Sequence, residues 1–266
     1  MRLLFAALLI VFSIPSYAQE STLVLNVSQN KIEMEHNANM VRPIASITKL
    51  MTAMTTLDWD KDISRRLLLT KKVHGYLPHQ TYNRYQLLMA MLIRSDNAAA
   101  ETLAEDYPGG RSAFILAMNR KAQEWGMSHT QFDDASGLSA GNTSTVKDVA
   151  TMIEAASGYW IIQEATQQKQ IAIELKAKKK VRTLSLPHTS GPLLFVFDQV
   201  FVSKTGLTSS AGWCVGMMAQ QSGEKYIVVV LGSKSKQRRL DLIKDIRYNH
   251  FIDRNLFDTP IPNNYR

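Results

Sequence analysis

Segments with the alternation and β-branched content of strands gather at both ends of this chain, while the stretch between them reads as helices. Thr22 to Val27 and Lys31 to Glu35 are two candidate strands joined by the polar turn Ser28-Gln29-Asn30. Far downstream, Leu193 to Val202, Gly212 to Ala219 and Tyr226 to Leu231 are β-rich, with Thr208-Ser209-Ser210 as a turn, and Arg238 to Leu256 is a closing helix. Between them, Pro43 opens a helical segment over Ile44 to Leu57. Further helices are expected over Tyr85 to Ile93, Ala98 to Ala104, Ser112 to Trp125 and Val146 to Ala156, the last two ended by Gly126 and Gly158. Strands at both ends of a chain with helices between them imply a sheet covered by those helices. The expected class is therefore α+β (α/β in the wider sense): a mainly antiparallel sheet flanked by helices, with a helical subdomain at about residues 60–160. With 266 residues, 45% of them hydrophobic, the chain can bury a substantial core.

The first residues run Met1-Arg2, an apolar stretch from Leu3 to Ile14, then Ser16-Tyr17-Ala18, the layout of a secretory signal over residues 1–18. The run is short for a membrane span, which needs ~20 apolar residues, and no later segment approaches that length. The expectation is one folded domain over 19–266, exported to the periplasm or beyond and without a stable membrane anchor. The lone cysteine, Cys214, cannot form an intramolecular disulfide and reads as a small buried hydrophobe. A net charge of +8 favours anionic surroundings, and Lys176, Lys178, Lys179, Lys180 and Arg182 concentrate part of it. No aromatic stacking set accompanies that run, so nucleic acid is not expected as a partner; a solvated face, or attraction to an acidic cell-envelope polymer, remains. The six histidines lack metal-ligand spacing and there is no phosphate-binding glycine loop, so neither metal nor nucleotide cofactor is indicated.

Three short patterns carry chemistry. In Ser46-Ile47-Thr48-Lys49, helical spacing puts Ser46 and Lys49 on one face with Leu50 and Ala53, so the lysine is expected to be half-desolvated. Desolvation lowers an amine pKa, which lets lysine take a proton from a serine hydroxyl near neutral pH. Ser46 also lies in the first helical turn, where free N–H groups stabilise developing negative charge. Ser-x-x-Lys begins at five serines here, however, and its commonest meaning is a capping serine beside a surface lysine. Ser95-Asp96-Asn97 falls at a joint between two helices, where hydroxyl and amide could both face a cleft, or simply cap the next helix. Lys204-Thr205-Gly206 follows Val200 to Ser203 and offers a cation, a hydroxyl and a residue without Cβ along a strand edge. An extended peptide could lie there, although a lysine-bearing edge also merely resists aggregation.

Gly137-Leu138-Ser139-Ala140-Gly141 matches the Gly-x-Ser-x-Gly nucleophile elbow, which requires a strand before it and a helix directly after it. Here it lies between polar segments and reads as a turn-rich loop, with Ser144 as the cap of the helix beginning near Val146.

In this order, the three patterns resemble those of the penicillin-binding protein and serine β-lactamase superfamily. More closely, Pro43 to Ala53, Ser95-Asp96-Asn97-Ala98-Ala99, Tyr107-Pro108-Gly109-Gly110 and Asp134 to Ser139 resemble the low-molecular-mass D-alanyl-D-alanine peptidases, most of all the D,D-endopeptidases of the penicillin-binding protein 7 type. The resemblance implies the β-lactamase/transpeptidase-like fold and peptidoglycan stem peptides and cross-links as partners. It implies that Ser46 attacks the carbonyl after a D-alanine, that Lys49 accepts its proton and that Ser95 assists proton transfer to the leaving amine. It further implies that Asn97, Lys204, Thr205 and Gly206 bind substrate, that the backbone N–H groups of Ser46 and Leu207 form the oxyanion hole, and that β-lactams acylate Ser46. Two alternatives stand beside it. A class A β-lactamase should carry a Glu-x-x-Leu-Asn element; none is present, although Glu154 and Glu164 fall in the appropriate region, so slow deacylation is expected. A non-catalytic wall-binding or β-lactam-sensing domain has little need of a desolvated lysine.

Overall fold

The structure, a computed structural model, describes residues 20–70, 73–177 and 180–248. The expected signal segment and the tail after residue 248 lie outside the described residues. Strands β1 (Ser21–Asn26) and β2 (Lys31–His36) form the first hairpin, followed by the short β3 (Arg42–Pro43) and a 3-10 turn over Ala45–Thr48. Helix α1 (Lys49–Trp59) leads to β4 (Arg66–Leu68) and β5 (Thr81–Asn83), then to α2 (Arg84–Ile93), α3 (Asn97–Glu105) and α4 (Gly110–Glu124). After β6 (Thr143–Ser144) come α5 (Val146–Ala156) and α6 (Trp160–Gln167), and then the hairpin of β7 (Gln170–Ala177) and β8 (Lys180–Pro187). A second 3-10 turn, Gly191–Phe195, precedes β9 (Gln199–Thr208), β10 (Gly212–Gln221), β11 (Glu224–Ser233) and α7 (Lys236–Ile246).

The main sheet has the order β2-β1-β11-β10-β9 and is antiparallel throughout. Its middle strands are buried on both faces, which explains why Tyr226 to Leu231 reads as an unbroken apolar run. Period-2 alternation sorts those side chains into two cores. Val24, Val215, Met217, Val228 and Val230 face α7, against Leu242, Ile243 and Ile246. Leu23, Cys214, Ile227, Val229 and Leu231 face the helical side, where α1 and α5 bring Leu50, Met51, Met54, Val149 and Ile153. Cys214 is fully buried and its thiol is pushed up to about 11, chiefly by burial, as befits a small hydrophobe. At the outer end, β9 pairs with β10 alone and no further strand covers its far side, where the Ser203 N–H donates to the Thr166 hydroxyl of α6 at 3.1 Å and the stretch beyond it is left unpaired by any strand.

Several local expectations are corrected. The segment from Ile44 is not one helix: Ala45 has φ of 47°, and a 3-10 turn precedes the α-helix that starts at Lys49. Ser46 and Lys49 therefore sit on successive turns of different helix types. Burial is also deeper than a half-covered face, because α1 is enclosed by α2, α3, α4 and α5, and every residue from Lys49 to Thr56 is buried. Leu193 to Val202 is not all strand: its first part belongs to the Gly191–Phe195 turn, and β9 begins at Gln199 and runs on through Lys204, Thr205 and Gly206. Ser144 lies in β6, and Thr145 is the residue that caps α5, its hydroxyl accepting from the Asp148 N–H at 3.1 Å. Helix α6 and the β7–β8 hairpin were not anticipated. Of the basic run, Lys176 lies on β7 and Lys180 and Arg182 lie on β8, while Lys178 and Lys179 lie outside the described residues.

Candidate active site

Several segments distant in sequence converge between the sheet and the helices. The 3-10 turn carrying Ser46 packs against β9. Gly206 makes that approach feasible, because a Cβ there would stand 2.9 Å from the Ala45 Cβ and the Ile44 carbonyl oxygen and 3.0 Å from the Ser46 nitrogen. Gly137 serves the same turn from the other side, since its Cβ would lie 2.0 Å from the Ala45 oxygen. The left-handed backbone of Ala45 is thus held between two glycines, and it turns Ser46 toward the opening. Such a conformation in a residue with a side chain costs about 1–3 kcal/mol and needs neighbours that over-determine it.

Asn142 supplies part of that determination. Its Nδ2 donates to Thr48 Oγ1 at 3.0 Å and to the Asp134 carbonyl at 2.9 Å, while its Oδ1 accepts from the Asp133 and Asp134 N–H groups. The Asp134 carboxylate in turn accepts from the N–H groups of Ser136, Gly137 and Ser139. The segment Asp133 to Gly141 is a loop, as expected from its composition, with neither a strand before it nor a helix directly after it. What the sequence did not reveal is its job of presenting the Ser136 carbonyl to the lysine.

Lys49 is fully buried and its Nζ has three contacts: Ser46 Oγ at 2.9 Å, Asn97 Oδ1 at 2.7 Å and the Ser136 carbonyl oxygen. Burial brings the amine down to about 7, against the upward pull of Asp134, Asp96 and Glu101. The contacts serve both protonation states, since three acceptors satisfy an ammonium and two of them satisfy a neutral amine. A neutral amine has two N–H bonds, which the Asn97 and Ser136 oxygens accept, and its lone pair is then left facing the Ser46 hydroxyl. That arrangement can remove a proton from Ser46.

The helix joint is built by Asp96. Its Oδ1 accepts from the Ala99 N–H at 2.8 Å, capping α3, and its Oδ2 accepts from the N–H groups of Tyr76 at 2.5 Å and Leu77 at 3.0 Å. Capping is thus the work of Asp96, which leaves Ser95 and Asn97 half-buried at the cleft. Ser95 has φ of 63°. The Asn97 carbonyl oxygen is engaged by Lys49, and its Nδ2 has no partner among the described residues.

The cleft has a volume of about 710 Å³, and Ser46, Ser95, Asn97, Thr205, Gly206 and Leu207 all line it. Lys204 does not line it: the side chain is fully buried beneath, its Nζ 3.0 Å from the Thr205 carbonyl. Burial pushes that amine well below its usual range, reinforced by Lys49 and Arg239. Tyr76, Arg94, His188, Trp213, Lys236 and Arg239 complete the walls without having been singled out beforehand. They lie on segments widely separated in sequence, and no spacing pattern links them. His188 accepts from the Ser190 N–H through Nδ1 at 2.9 Å, and burial brings it down to about 4, so it is neutral in use. No carboxylate lines the cleft among the described residues. Glu164 instead accepts a hydrogen bond from the Tyr85 hydroxyl at 2.8 Å, away from the site, and Glu154 is exposed on α5. No group of three or more metal-ligating side chains occurs among the described residues.

A serine hydroxyl beside a desolvated amine, on this sheet-and-helix frame, defines a serine hydrolase of the β-lactamase/transpeptidase-like fold. Within that class, residues 11–235 match the description of Peptidase S11, D-alanyl-D-alanine carboxypeptidase, and the chain belongs to that family. It is similar to the D-alanyl-D-alanine endopeptidase of Escherichia coli (strain K12), 32% identical over 249 residues, spanning 90% of this chain and 76% of the relative. The endopeptidase of the same name from Pseudomonas aeruginosa is 32% identical over 246 residues, spanning 89% and 74%. Among solved structures, a mutant of the Streptomyces K15 DD-transpeptidase superposes with a TM-score of 0.78 at 25% identity, covering 86% of this chain and 96% of that one. Penicillin-binding protein D2 from Listeria monocytogenes, in its cefotaxime-bound form, gives 0.71 at 29% identity, covering 83% and 92%.

Proposed function

We propose that this chain is an exported peptidoglycan D,D-peptidase that cuts peptide cross-links in preference to trimming free stem peptides. Similarity to two proteins named endopeptidases supports the preference, and the leader-like residues Met1 to Ala18 support export to the periplasm. The observation that carries the mechanism is the Lys49 amine, 2.9 Å from Ser46 Oγ and with its pKa brought to about 7.

In that mechanism Ser46 Oγ attacks the carbonyl carbon following a D-alanine side chain while its proton passes to Lys49 Nζ. The oxyanion is held by the backbone N–H groups of Ser46 and Leu207, which Gly206 allows to approach one another. The C–N bond then breaks, and Lys49 returns the proton to the leaving amine through the Ser95 hydroxyl. Water hydrolyses the ester and restores the hydroxyl. The substrate backbone adds along the free edge of β9 at Thr205 to Leu207, and the Asn97 amide nitrogen donates to a substrate carbonyl. Lys204 supports Thr205 from below, and a strained cyclic amide such as penicillin acylates the same hydroxyl.

Mass spectrometry after penicillin treatment should find one adduct, on the peptide containing Ser46, and digestion of a cross-linked dimeric muropeptide should outpace release of D-alanine from a pentapeptide. An unmodified Ser46 in folded protein would remove the mechanism; faster action on the pentapeptide would reverse the preference alone.

A further inference from the structure

Arg94 ends α2 at the helix joint, immediately before Ser95, and it lines the cleft together with Tyr76. Its guanidinium carbon lies 4.2 Å from the centroid of the Tyr76 ring, a stacked cation–π arrangement that fixes the plane of the fork. Tyr76 is itself pinned through its backbone N–H to Asp96, so the stack is anchored to the same residue that caps α3. The Arg94 Nε is buried and has no hydrogen-bond partner among the described residues. Two other enclosed arginines have evident structural duties: Arg84 pairs with Asp60 and Asp106, and Arg239, whose Nε is likewise without a hydrogen-bond partner among the described residues, donates to the Cys214 carbonyl. Arg94 makes no ion pair among the described residues, and no carboxylate lines the cleft to provide one.

A planar guanidinium with fixed orientation and unused donors is the side chain best matched to a carboxylate. Its position also matters, because it stands on the helical wall, whereas the cleft's other lining arginine, Arg239, and Lys236 stand on the sheet wall with α7. The cleft therefore carries cationic side chains from two separate elements, Arg94 from the end of α2 and Lys236 with Arg239 from α7. We infer that Arg94, stacked on Tyr76, is a subsite for a second carboxylate of the substrate: a side-chain or branch carboxylate of the stem peptide, separate from any at the chain end. The inference rests on the D,D-peptidase reading and deepens it, since it selects stem peptides whose diacid or amino-diacid residue keeps its carboxylate free over those in which that group is amidated.

Two synthetic peptides ending in D-alanyl-D-alanine, identical except for a free or an amidated side-chain carboxylate on the preceding diamino diacid residue, provide the test. Wild-type kcat/KM should favour the free acid by about tenfold or more, the loss expected when a charge-assisted contact is withdrawn. In Arg94→Gln that ratio should fall toward unity, and Arg94→Lys, which keeps the charge without the fork, should retain only part of it. The comparison between peptides in wild type needs no variant, so a misfolded Arg94→Gln does not weaken it. Equal rates on both peptides, or an undiminished ratio in folded Arg94→Gln, would overturn the subsite while leaving the hydrolase reading intact. Failure to cleave either peptide, together with no penicillin adduct on Ser46, would overturn both.

Discussion

In the proposed mechanism Lys49 sets the pH dependence of the reaction. Its amine is neutral above about 7 and charged below it, so the rate of penicillin acylation should fall about tenfold per pH unit below that point and level off above it. Stopped-flow measurement between pH 5 and 9 reads this directly; a flat profile would contradict a lysine base. Lys49→Arg places a permanently charged fork in the same pocket and should lower acylation by at least about a thousandfold. Gly206→Ala forces a Cβ within 2.9 Å of the serine-bearing turn, and a loss of about a hundredfold in acylation is expected if that contact sets the oxyanion donors. At this scale Ser46 and Lys49 could be read from the sequence because their pairing is local, three positions apart. The Ser136 carbonyl could not, since a backbone acceptor leaves no trace in residue identity, and neither could Arg94 or His188, which reach the cleft only through tertiary packing.

The elements around the site owe their placement to a few buried polar residues. Asp96 caps α3 and also holds the Tyr76 segment, so Asp96→Ala leaves three N–H groups without an acceptor and should cost about 2–4 kcal/mol in urea unfolding. Because the Asp96 charge raises the Lys49 amine, Asp96→Asn should also move the acylation midpoint downward in pH, an effect that a purely structural residue would not produce. The boundaries of α2, α3 and α5 follow closely from hydrophobic periodicity and capping residues. The start of α1 did not, because Ala45 adopts a left-handed backbone imposed by Gly137 and Gly206, residues distant in sequence. The turn before β9 likewise reads as strand in the sequence, because Leu193, Val196 and Phe197 are apolar to fill the α7-side core, whatever their backbone shape.

Across the whole molecule, the expected sheet assembled from both chain ends is present, and the net charge of +8 gathers partly at a cleft lined by arginine and lysine with no lining acid among the described residues. Anionic β-lactams should therefore be captured several-fold more slowly as salt rises from about 0.02 to 0.5 M, over which the Debye length shrinks from about 20 Å to about 4 Å. Second-order acylation rates across that range check it, and a zwitterionic β-lactam should respond less. The pairing of β1 with β11 has a further consequence. Ser21 lies opposite Leu231, so the centre of the sheet joins residues separated by nearly the entire described chain. Such closure is entropically late and slow. During synthesis, the polypeptide cannot lock until its final strand is available, so every segment between β1 and β11 waits on the last tenth of the described chain for its frame to close.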